Sequence, residues 1–451
     1  MGPLWAHLIA PHFLYTFLTR EKSNSSDRRI IVDLSWPIGN SVNNACKGDT
    51  YESVDFILSL PTIDHVVRAV KKFGRASYIA KLDISRAFKQ VPIDPRDIDL
   101  LGLFWGAYYI ENKLVFGFRN GSALYQRLSD SIRFIMTSEG HYCLDYIDDY
   151  LIFGSKSDCQ SGFDRLGCLL EELGLEVSHH KTITPSTQVI CLGILVDTTN
   201  FTLSIPDKKL SEIRSIIALW KDKTYCSKTQ LQSLLGSLLY ISKCVRYSRC
   251  FLNRILHTLR CHSDKKSIPL DEEFHKDIAW FSKFMVNFNG TTFFDKPDIQ
   301  FETFLDASLT GIGGVCGRDI YHHTIPLFLR NSPIVVLEMF NILVATRLWA
   351  FNWANKNILI HCDNEAVVTI LNSGKSKDLT LSRISRNIFM QCASHDIHLK
   401  IKHVPGKNNN IADLLSRWQV TDNPKQKLSL LLPDFNTISV AQHHVTIDDS
   451  I

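Results

Sequence analysis

Apolar and polar positions change in short blocks over residues 28–200. Arg29–Leu34, Tyr78–Asp83, His141–Phe153 and Val189–Val196 are β-rich runs, and the stretches between them carry helical patterns. This predicts strands interleaved with helices, as in an α+β domain. After residue 200 the pattern changes. Leu231, Leu234, Leu235, Leu238 and Leu239 recur at three and four, which predicts one apolar helix face, and 205–290 reads as helical. The turn-rich stretch Asn287–Pro297 reads as a boundary. Beyond it come a strand (Ile299–Asp306), a Gly-rich strand (Gly311–Gly317), a helix (Pro333–Trp353), a strand (Ile358–Cys362), helices, a strand (Leu399–Val404) and a helix (Asn410–Trp418). Strands first and then β–α–β alternation predict a mixed sheet with helices on its faces. Residues 419–451 are polar and read as an irregular tail or linker.

Composition narrows the class. At roughly 100–200 residues per domain, 451 residues suggest two to four domains. Hydrophobic residues are 45% and charged residues 21%, which excludes a disordered chain. Twelve cysteines are scattered without a CxxC pair, so they read as free thiols of a reducing, intracellular compartment. Cys244, Cys250, His257, Cys261 and His262 fit no zinc spacing and read as ordinary positions of a helical segment. The longest central apolar stretch, Leu101–Ile110, is half the roughly 20 residues a membrane span needs, so no membrane role is expected. Pro3–Leu18 is apolar but broken by His7, Pro11 and His12 and has no basic start. It reads as part of a core cut from a longer chain rather than as a leader. The net charge of +4 diagnoses nothing, but its distribution does. Residues 201–260 hold eleven Lys/Arg against three Asp/Glu, whereas 101–200 hold seven against twelve. A basic segment after an acidic one suits a nucleic-acid grip beside a metal site.

Two constellations carry chemistry. Asp148 and Asp149 lie between Cys143-Leu144-Asp145 and Tyr150-Leu151-Ile152-Phe153, enclosed by apolar and aromatic β-formers. Partly buried neighbouring carboxylates resist ionisation unless a cation compensates them, and hard divalent ions with oxygen ligands do this. Asp83 ends another β-run and offers a third acid. Three carboxylates on neighbouring strands can hold two Mg²⁺ ions for an in-line phosphoryl transfer. Downstream, Asp306 ends a strand, Glu338 starts a helix, Asp363 follows a strand and Asp413 sits on the final helix. Such acids can converge on a second metal pair, with water as the nucleophile.

These residues stand within recognisable motifs. The segment Leu82-Asp83-Ile84-Ser85-Arg86-Ala87-Phe88, then Phe116-Gly117-Phe118 through Tyr125-Gln126, then Tyr146-Ile147-Asp148-Asp149, Gly174-Leu175 with Lys181, and Leu192-Gly193 resemble the ordered motifs of reverse transcriptases. The four downstream acids, with His403-Val404-Pro405-Gly406-Lys407 and Ala412-Asp413-Leu414-Leu415-Ser416-Arg417, resemble a retrotransposon ribonuclease H. Asp33-Leu34-Ser35, Leu231-Gln232-Ser233-Leu234-Leu235-Gly236 and Arg249-Cys250-Phe251-Leu252 are similar to the tyrosine-recombinase (DIRS/Ngaro-like) branch of retrotransposons.

The resemblance implies an α+β right-hand polymerase followed by an α/β ribonuclease H-like domain. Fingers and palm would cover 1–200, thumb and connection 201–296, the ribonuclease H-like domain 297–418, and a tail 419–451. It implies RNA-directed DNA polymerase (nucleotidyltransferase) and endonucleolytic hydrolase activities. Asp83, Asp148, Asp149, Asp306, Glu338, Asp363 and Asp413 would be catalytic and hold Mg²⁺, two per site, with Mn²⁺ as an alternative. Arg29, with Lys22 as second candidate, would grip the triphosphate. Phe88 would exclude a 2′-hydroxyl, Gly117 and Gln126 would lie near nucleotide and template, and Lys181 would protonate pyrophosphate. Lys221, Lys223, Lys228, Lys243, Arg246 and Arg249 would contact phosphates. The partners are RNA and DNA template-primers, RNA–DNA hybrid and dNTPs. Motif B departs from the family at Val115 and Gly121-Ser122, and the loop Pro405–Asn410 lacks the family's mobile histidine, so His403 receives no catalytic role. Asn364 reads equally as substrate contact or helix cap. A rival reading is a nucleic-acid-binding scaffold that lost its chemistry; seven intact acids argue against it.

Overall fold

The computed structural model describes residues 17–21, 28–46, 50–51, 54–55, 58–104, 108–245, 248–262, 265–287, 290–293 and 299–448. Lys22, Arg246 and most of the apolar N-terminal stretch lie outside the described residues. The chain divides into two compact units, Met1–Thr202 and Leu203–Ile451.

In the first unit, β1 (Phe17–Glu21) pairs antiparallel with β2 (Arg28–Val32). The helix α1 (Ile63–Phe73) follows and buries Ile63, Val66, Ala69 and Val70, the 3–4 spacing of one face. A four-stranded antiparallel sheet forms the centre. Its strands are β3 (Tyr78–Asp83), β4 (Tyr142–Tyr146), β5 (Asp149–Gly154) and β6 (Ile183–Ser186), in the spatial order β6-β3-β5-β4. The run expected over His141–Phe153 is therefore two strands joined by the two-residue turn Ile147-Asp148. Two helices pack on this sheet, α2 (Gly121–Ser138) between β3 and β4, and α3 (Lys156–Glu172) after β5. Ala80, Leu82, Tyr125, Ile132, Met136, Tyr150, Ile152, Leu166 and Leu170 close the core between them. A hairpin of β7 (Gln188–Cys191) and β8 (Ile194–Asp197) ends the unit.

The second unit opens with helices α4 (Asp207–Trp220), α5 (Lys228–Ile241), α6 (Asn253–Cys261) and α7 (Glu272–Asn287). On α5 the leucine stripe buries Leu231, Leu234, Leu235 and Leu238, but Leu239 is exposed, one position off the face. A six-stranded mixed sheet follows. In chain order its strands are β9 (Phe301–Ala307), β10 (Gly311–Cys316), β11 (Asp319–Thr324), β12 (Asn357–Cys362), β13 (His398–His403) and β14 (Asn436–Thr437). The spatial order is β13-β12-β9-β10-β11-β14, antiparallel over β9-β10-β11 and parallel elsewhere. The unit's later helices are α8 (Ile334–Leu348), α9 (Glu365–Ser373), α10 (Leu379–Ser394), α11 (Asn410–Ser416) and α12 (Pro424–Leu431).

The glycines of β10 show how two helices share this sheet. A Cβ on Gly313 would lie 2.4 Å from Leu415 Cβ, so α11 sits on bare backbone there. Gly314, the next residue, faces Leu305 and Tyr321 on the opposite side, where the Tyr321 hydroxyl meets Asn341 of α8. Two differences from the sequence pattern stand out. The strand β11 was not among the expected elements. Residues 419–448 are no loose tail: Leu428 and Val445 are buried, β14 extends the sheet, and Asn387 of α10 bonds Asp448. Among the described residues no helix is long and apolar enough to cross a membrane.

Candidate active sites

The first site grows from strand register. Asp83 and Asp149 are Cα partners across the β3–β5 pair, so their carboxylates stand side by side at the strand ends. Asp148 occupies the connecting turn, and its carbonyl accepts the Ile84 amide at 3.0 Å. Three acids separated by up to 66 positions thus meet at one edge. Asp83 is 4% exposed. Burial pushes the Asp148 carboxyl up, and the neighbouring Asp83 adds to this. Burial likewise raises Asp149 to about 6, against the opposing charge of Lys81.

Two lysines compensate the cluster. Lys81, two residues before Asp83 on the same strand face, donates from Nζ to Asp149 Oδ2 at 2.8 Å. Lys181, on a short 3₁₀ turn over His179–Lys181, donates to Asp83 Oδ1 at 2.7 Å. Asp149 Oδ1 is buried and has no hydrogen-bond partner among the described residues. A buried carboxylate oxygen without a donor is costly, and a hard cation would satisfy it. The oxygen donor set therefore fits Mg²⁺.

The remaining predicted residues fall into three places. Phe88 is buried on a 3₁₀ turn, its ring stacked on Phe116 (centroids 4.9 Å apart) and tilted against Tyr125 (5.5 Å). Gly117 has φ +109°, and a Cβ there would lie 1.9 Å from the Val32 carbonyl oxygen, so glycine is needed to let its loop pass β2. Gln126 does not face solvent. It is 3% exposed and its amide is engaged within the protein, Nε2 donating to Asp145 Oδ2 at 2.7 Å and Oε1 accepting the Ile147 amide at 2.8 Å. Arg29 lies in β2 opposite Arg20; its side chain is outside the described residues. Sequence reasoning missed Lys81, Asp145 and Arg133. Asp145 is buried and pushed up to about 6 by that burial, while Arg133 Nε, 2.6 Å away, holds it down. The i, i+2 spacing of Lys81 and Asp83 was the one available signal.

In the second site β9, α8 and α11 each bring one acid, and Asp363 follows directly after β12. Asp306 Oδ2 accepts the Ser416 hydroxyl at 2.6 Å, and burial raises this carboxyl to about 6, with Asp363 and Asp413 adding to the rise. Glu338 is 2% exposed and accepts the Ala307 amide at 3.0 Å. Burial, then Asp306, push Glu338 to about 9. One ligand atom each of Glu338, Cys362 and Asp363 lie within 4.8 Å of one another, close enough to share a cation. Asp413 is half-exposed and pairs with Arg417 at 2.7 Å. His403 bonds the Asp363 carbonyl at 3.1 Å. Asn364 caps α9, accepting the Ala366 and Val367 amides. Of the cysteine–histidine group, Cys244 and Cys250 are buried, and the exposed Cys261 lies 3.3 Å from His257 Nε2.

The chain is similar to known proteins over most of its length. Residues 21–196 match the family described as reverse transcriptase (RNA-dependent DNA polymerase). The chain is 23% identical over 437 residues to the retrovirus-related Pol polyprotein from transposon opus of Drosophila melanogaster, covering 94% of this chain and 41% of that one. It is 24% identical over 389 residues to polyprotein P3 of Commelina yellow mottle virus, covering 80% and 19%. The chain thus spans less than half the length of either polyprotein. Among solved structures, a foamy viral protease-reverse transcriptase in complex with double-stranded DNA is similar in fold. Its TM-score is 0.50 at 16% identity, over 87% of this chain and 65% of that one. Residues 21–196 thus match a reverse transcriptase domain, and the polyproteins similar to the chain come from retrotransposons and viruses.

Proposed function

We propose that the chain is an RNA-directed DNA polymerase with a second, ribonuclease H activity, and that it copies retroelement RNA into DNA. The observation that carries this reading is the meeting of Asp83, Asp148 and Asp149 at one strand edge, with a buried Asp149 oxygen that has no hydrogen-bond partner among the described residues. Asp83, Asp148 and Asp149 would hold Mg²⁺ or Mn²⁺ at the first site, and Asp306, Glu338, Asp363 and Asp413 at the second. Such ions, when bound, activate the attacking oxygen and stabilise the leaving one in an in-line displacement.

The chain's own residues do the rest. Lys81 fixes one oxygen of Asp149 and leaves the other free. Lys181, bonded to Asp83, would hand a proton to departing pyrophosphate. The Phe88 ring, wedged by Phe116 and Tyr125, would form a rigid wall against a 2′-hydroxyl, which favours dNTPs. Arg29 would grip the triphosphate. Lys221, Lys223, Lys228, Lys243 and Arg249 would hold template-primer or RNA–DNA hybrid by its phosphates, so binding weakens steeply with salt. Within retroelements, the Asp33-Leu34-Ser35 and Arg249-Cys250-Phe251-Leu252 patterns favour the tyrosine-recombinase branch, and a recombinase reading frame beside the coding sequence would test that.

The main test is extension of a DNA primer on an RNA template with Mg²⁺, run beside cleavage of an RNA–DNA hybrid. Asp148→Asn should lower extension by at least about 10²–10³-fold and spare cleavage. Asp306→Asn should do the reverse. Wild-type extension by the Asp148→Asn variant would sink the reading.

A further inference from the structure

The Ile147 half of the turn that carries Asp148 is held by one helix, while the Asp148 carbonyl is held by the Ile84 amide. Ile147 has φ +57°, a left-handed conformation that a β-branched residue adopts only under constraint. Its amide donates to Gln126 Oε1 at 2.8 Å, and its carbonyl accepts the Ser129 hydroxyl. Both partners come from α2, three residues apart and so on one face. Behind them stands Asp145, 3% exposed, taking Gln126 Nε2 at 2.7 Å on one oxygen and Arg133 Nε at 2.6 Å on the other. Arg133 lies seven residues beyond Gln126 on the same helix stripe. It also meets Asp130 at 3.0 Å, whose carboxylate reaches Gln126 Nε2 at 3.3 Å.

We infer that Gln126 is a positioning residue: backed by Asp145 and Arg133, it holds the Ile147 peptide left-handed and so aims Asp148. This rests on the reading of Asp148 as a catalytic acid. The chemistry explains the residue type. The position needs a donor toward Asp145 and an acceptor toward Ile147 at once, which a primary amide supplies. A carboxylate here would set two acceptors face to face. An aliphatic side chain would leave the Ile147 amide and one Asp145 oxygen buried without partners. In either case Ile147 relaxes toward negative φ and Asp148, the next residue, moves with it. With its amide occupied inside the protein, Gln126 acts on the reaction through the turn rather than through nucleotide or template.

The test uses the full chain and steady-state primer extension. Gln126→Leu should lower kcat on the order of 10²-fold while KM for dNTP stays within about twofold, as expected for a misaimed group. Gln126→Glu should fall as far. Combining Gln126→Glu with Asp145→Asn reverses the donor and acceptor between the two positions and keeps an acceptor for the Ile147 amide, so it should recover kcat to within about fivefold of wild type. Amide hydrogen exchange over residues 145–149 should quicken in Gln126→Leu and return toward wild type in the double variant, a readout independent of activity. An unchanged kcat in Gln126→Leu overturns the inference. So does a raised KM at constant kcat, which would mark a substrate contact. Should Gln126→Leu fail to fold, the Gln126→Glu single and its double variant decide alone, and absence of rescue overturns the inference. Asp148→Asn in the same assay separates the two levels. If it extends normally, the reading of the site fails. If it is inactive while Gln126→Leu is intact, only the clamp fails.

Discussion

Asp149 meets Lys81 and Asp83 meets Lys181, whereas Asp306 meets a serine hydroxyl and Glu338 a backbone amide. The two acid clusters suit the same class of reaction, yet they handle their charge differently. In the first unit the chain supplies ammonium groups against the carboxylates, and Asp149 rises to about 6. In the second cluster, among the described residues, the cation in direct contact is Arg417, on the half-exposed Asp413, and Glu338 rises to about 9. Buried carboxylates that lack a cationic partner hold their protons. The second cluster therefore depends on something other than its own side chains to become fully charged. The first is compensated in part by its two lysines, although Asp148 and Asp149 stay raised.

The two sites also differ in how their parts are seated. The first acids lie on adjacent strands and one turn. The second set depends on α11 lying against bare backbone at Gly313. In Gly313→Ala the new Cβ would stand 2.4 Å from Leu415 Cβ and 2.6 Å from its carbonyl carbon, so the helix backbone must shift. Overpacking of this kind costs about 1–3 kcal/mol, and here the upper end is expected because backbone is struck. The displaced helix takes Ser416 from Asp306 and moves Asp413. We expect hybrid cleavage to fall at least tenfold while primer extension is unchanged. Gly117→Ala, with its Cβ 1.9 Å from Val32 oxygen, should show the opposite pattern. Equal damage to both activities by either variant would break the comparison.

A smaller effect sharpens the electrostatic half. Glu338 has its folded-state pKa raised to about 9, far above the ordinary glutamate value near 4.3. The folded protein therefore binds the proton more tightly than the unfolded chain. Stability from this group is intact at low pH and is lost as pH rises through the window between those two values. Glu338→Gln removes the penalty. Without divalent ions it should stabilise the second unit by on the order of 1–3 kcal/mol at pH 8 and by little near pH 5. Tryptophan fluorescence can follow this unfolding, because Trp349 and Trp353 are buried in that unit, 5.3 Å apart. A gain that does not grow with pH would contradict the charge argument. Mg²⁺ should reverse the order and stabilise wild type more than the variant.

How much of this was legible in the sequence depends on the kind of signal. Carboxylates among β-formers, as at Asp148 and Asp306, stand out because burial without compensation is improbable. The strands carrying them were legible for the same reason. The strand Asp319–Thr324 was not, since His322 and His323 break the apolar pattern and Ile320 and Tyr321 are buried in succession. Residues 419–448 pack through single anchors such as Leu428 and Val445, too widely spaced to give a period. Lys81, Asp145 and Arg133 matter through partners as much as 68 positions away, as for Lys81 with Asp149, and local pattern carries no such information.

The least effect is expected where a charge pair is exposed. Arg417 and Asp413 are 58% and 43% exposed and four residues apart, Asp413 on α11 and Arg417 at its C-terminal cap. Pairs of this kind contribute about 0.3–0.5 kcal/mol, and salt screens them. Arg417→Ala should therefore shift stability by less than about 0.5 kcal/mol in thermal unfolding. Its effect on cleavage is the sharper probe. Arg417 also lowers the Asp306 carboxyl from a distance. Removing it should let Asp306 hold its proton to higher pH, so the rise of cleavage with pH should move upward while extension keeps its profile. An unmoved cleavage profile would mean that Ser416, and not the guanidinium, sets the charge of Asp306.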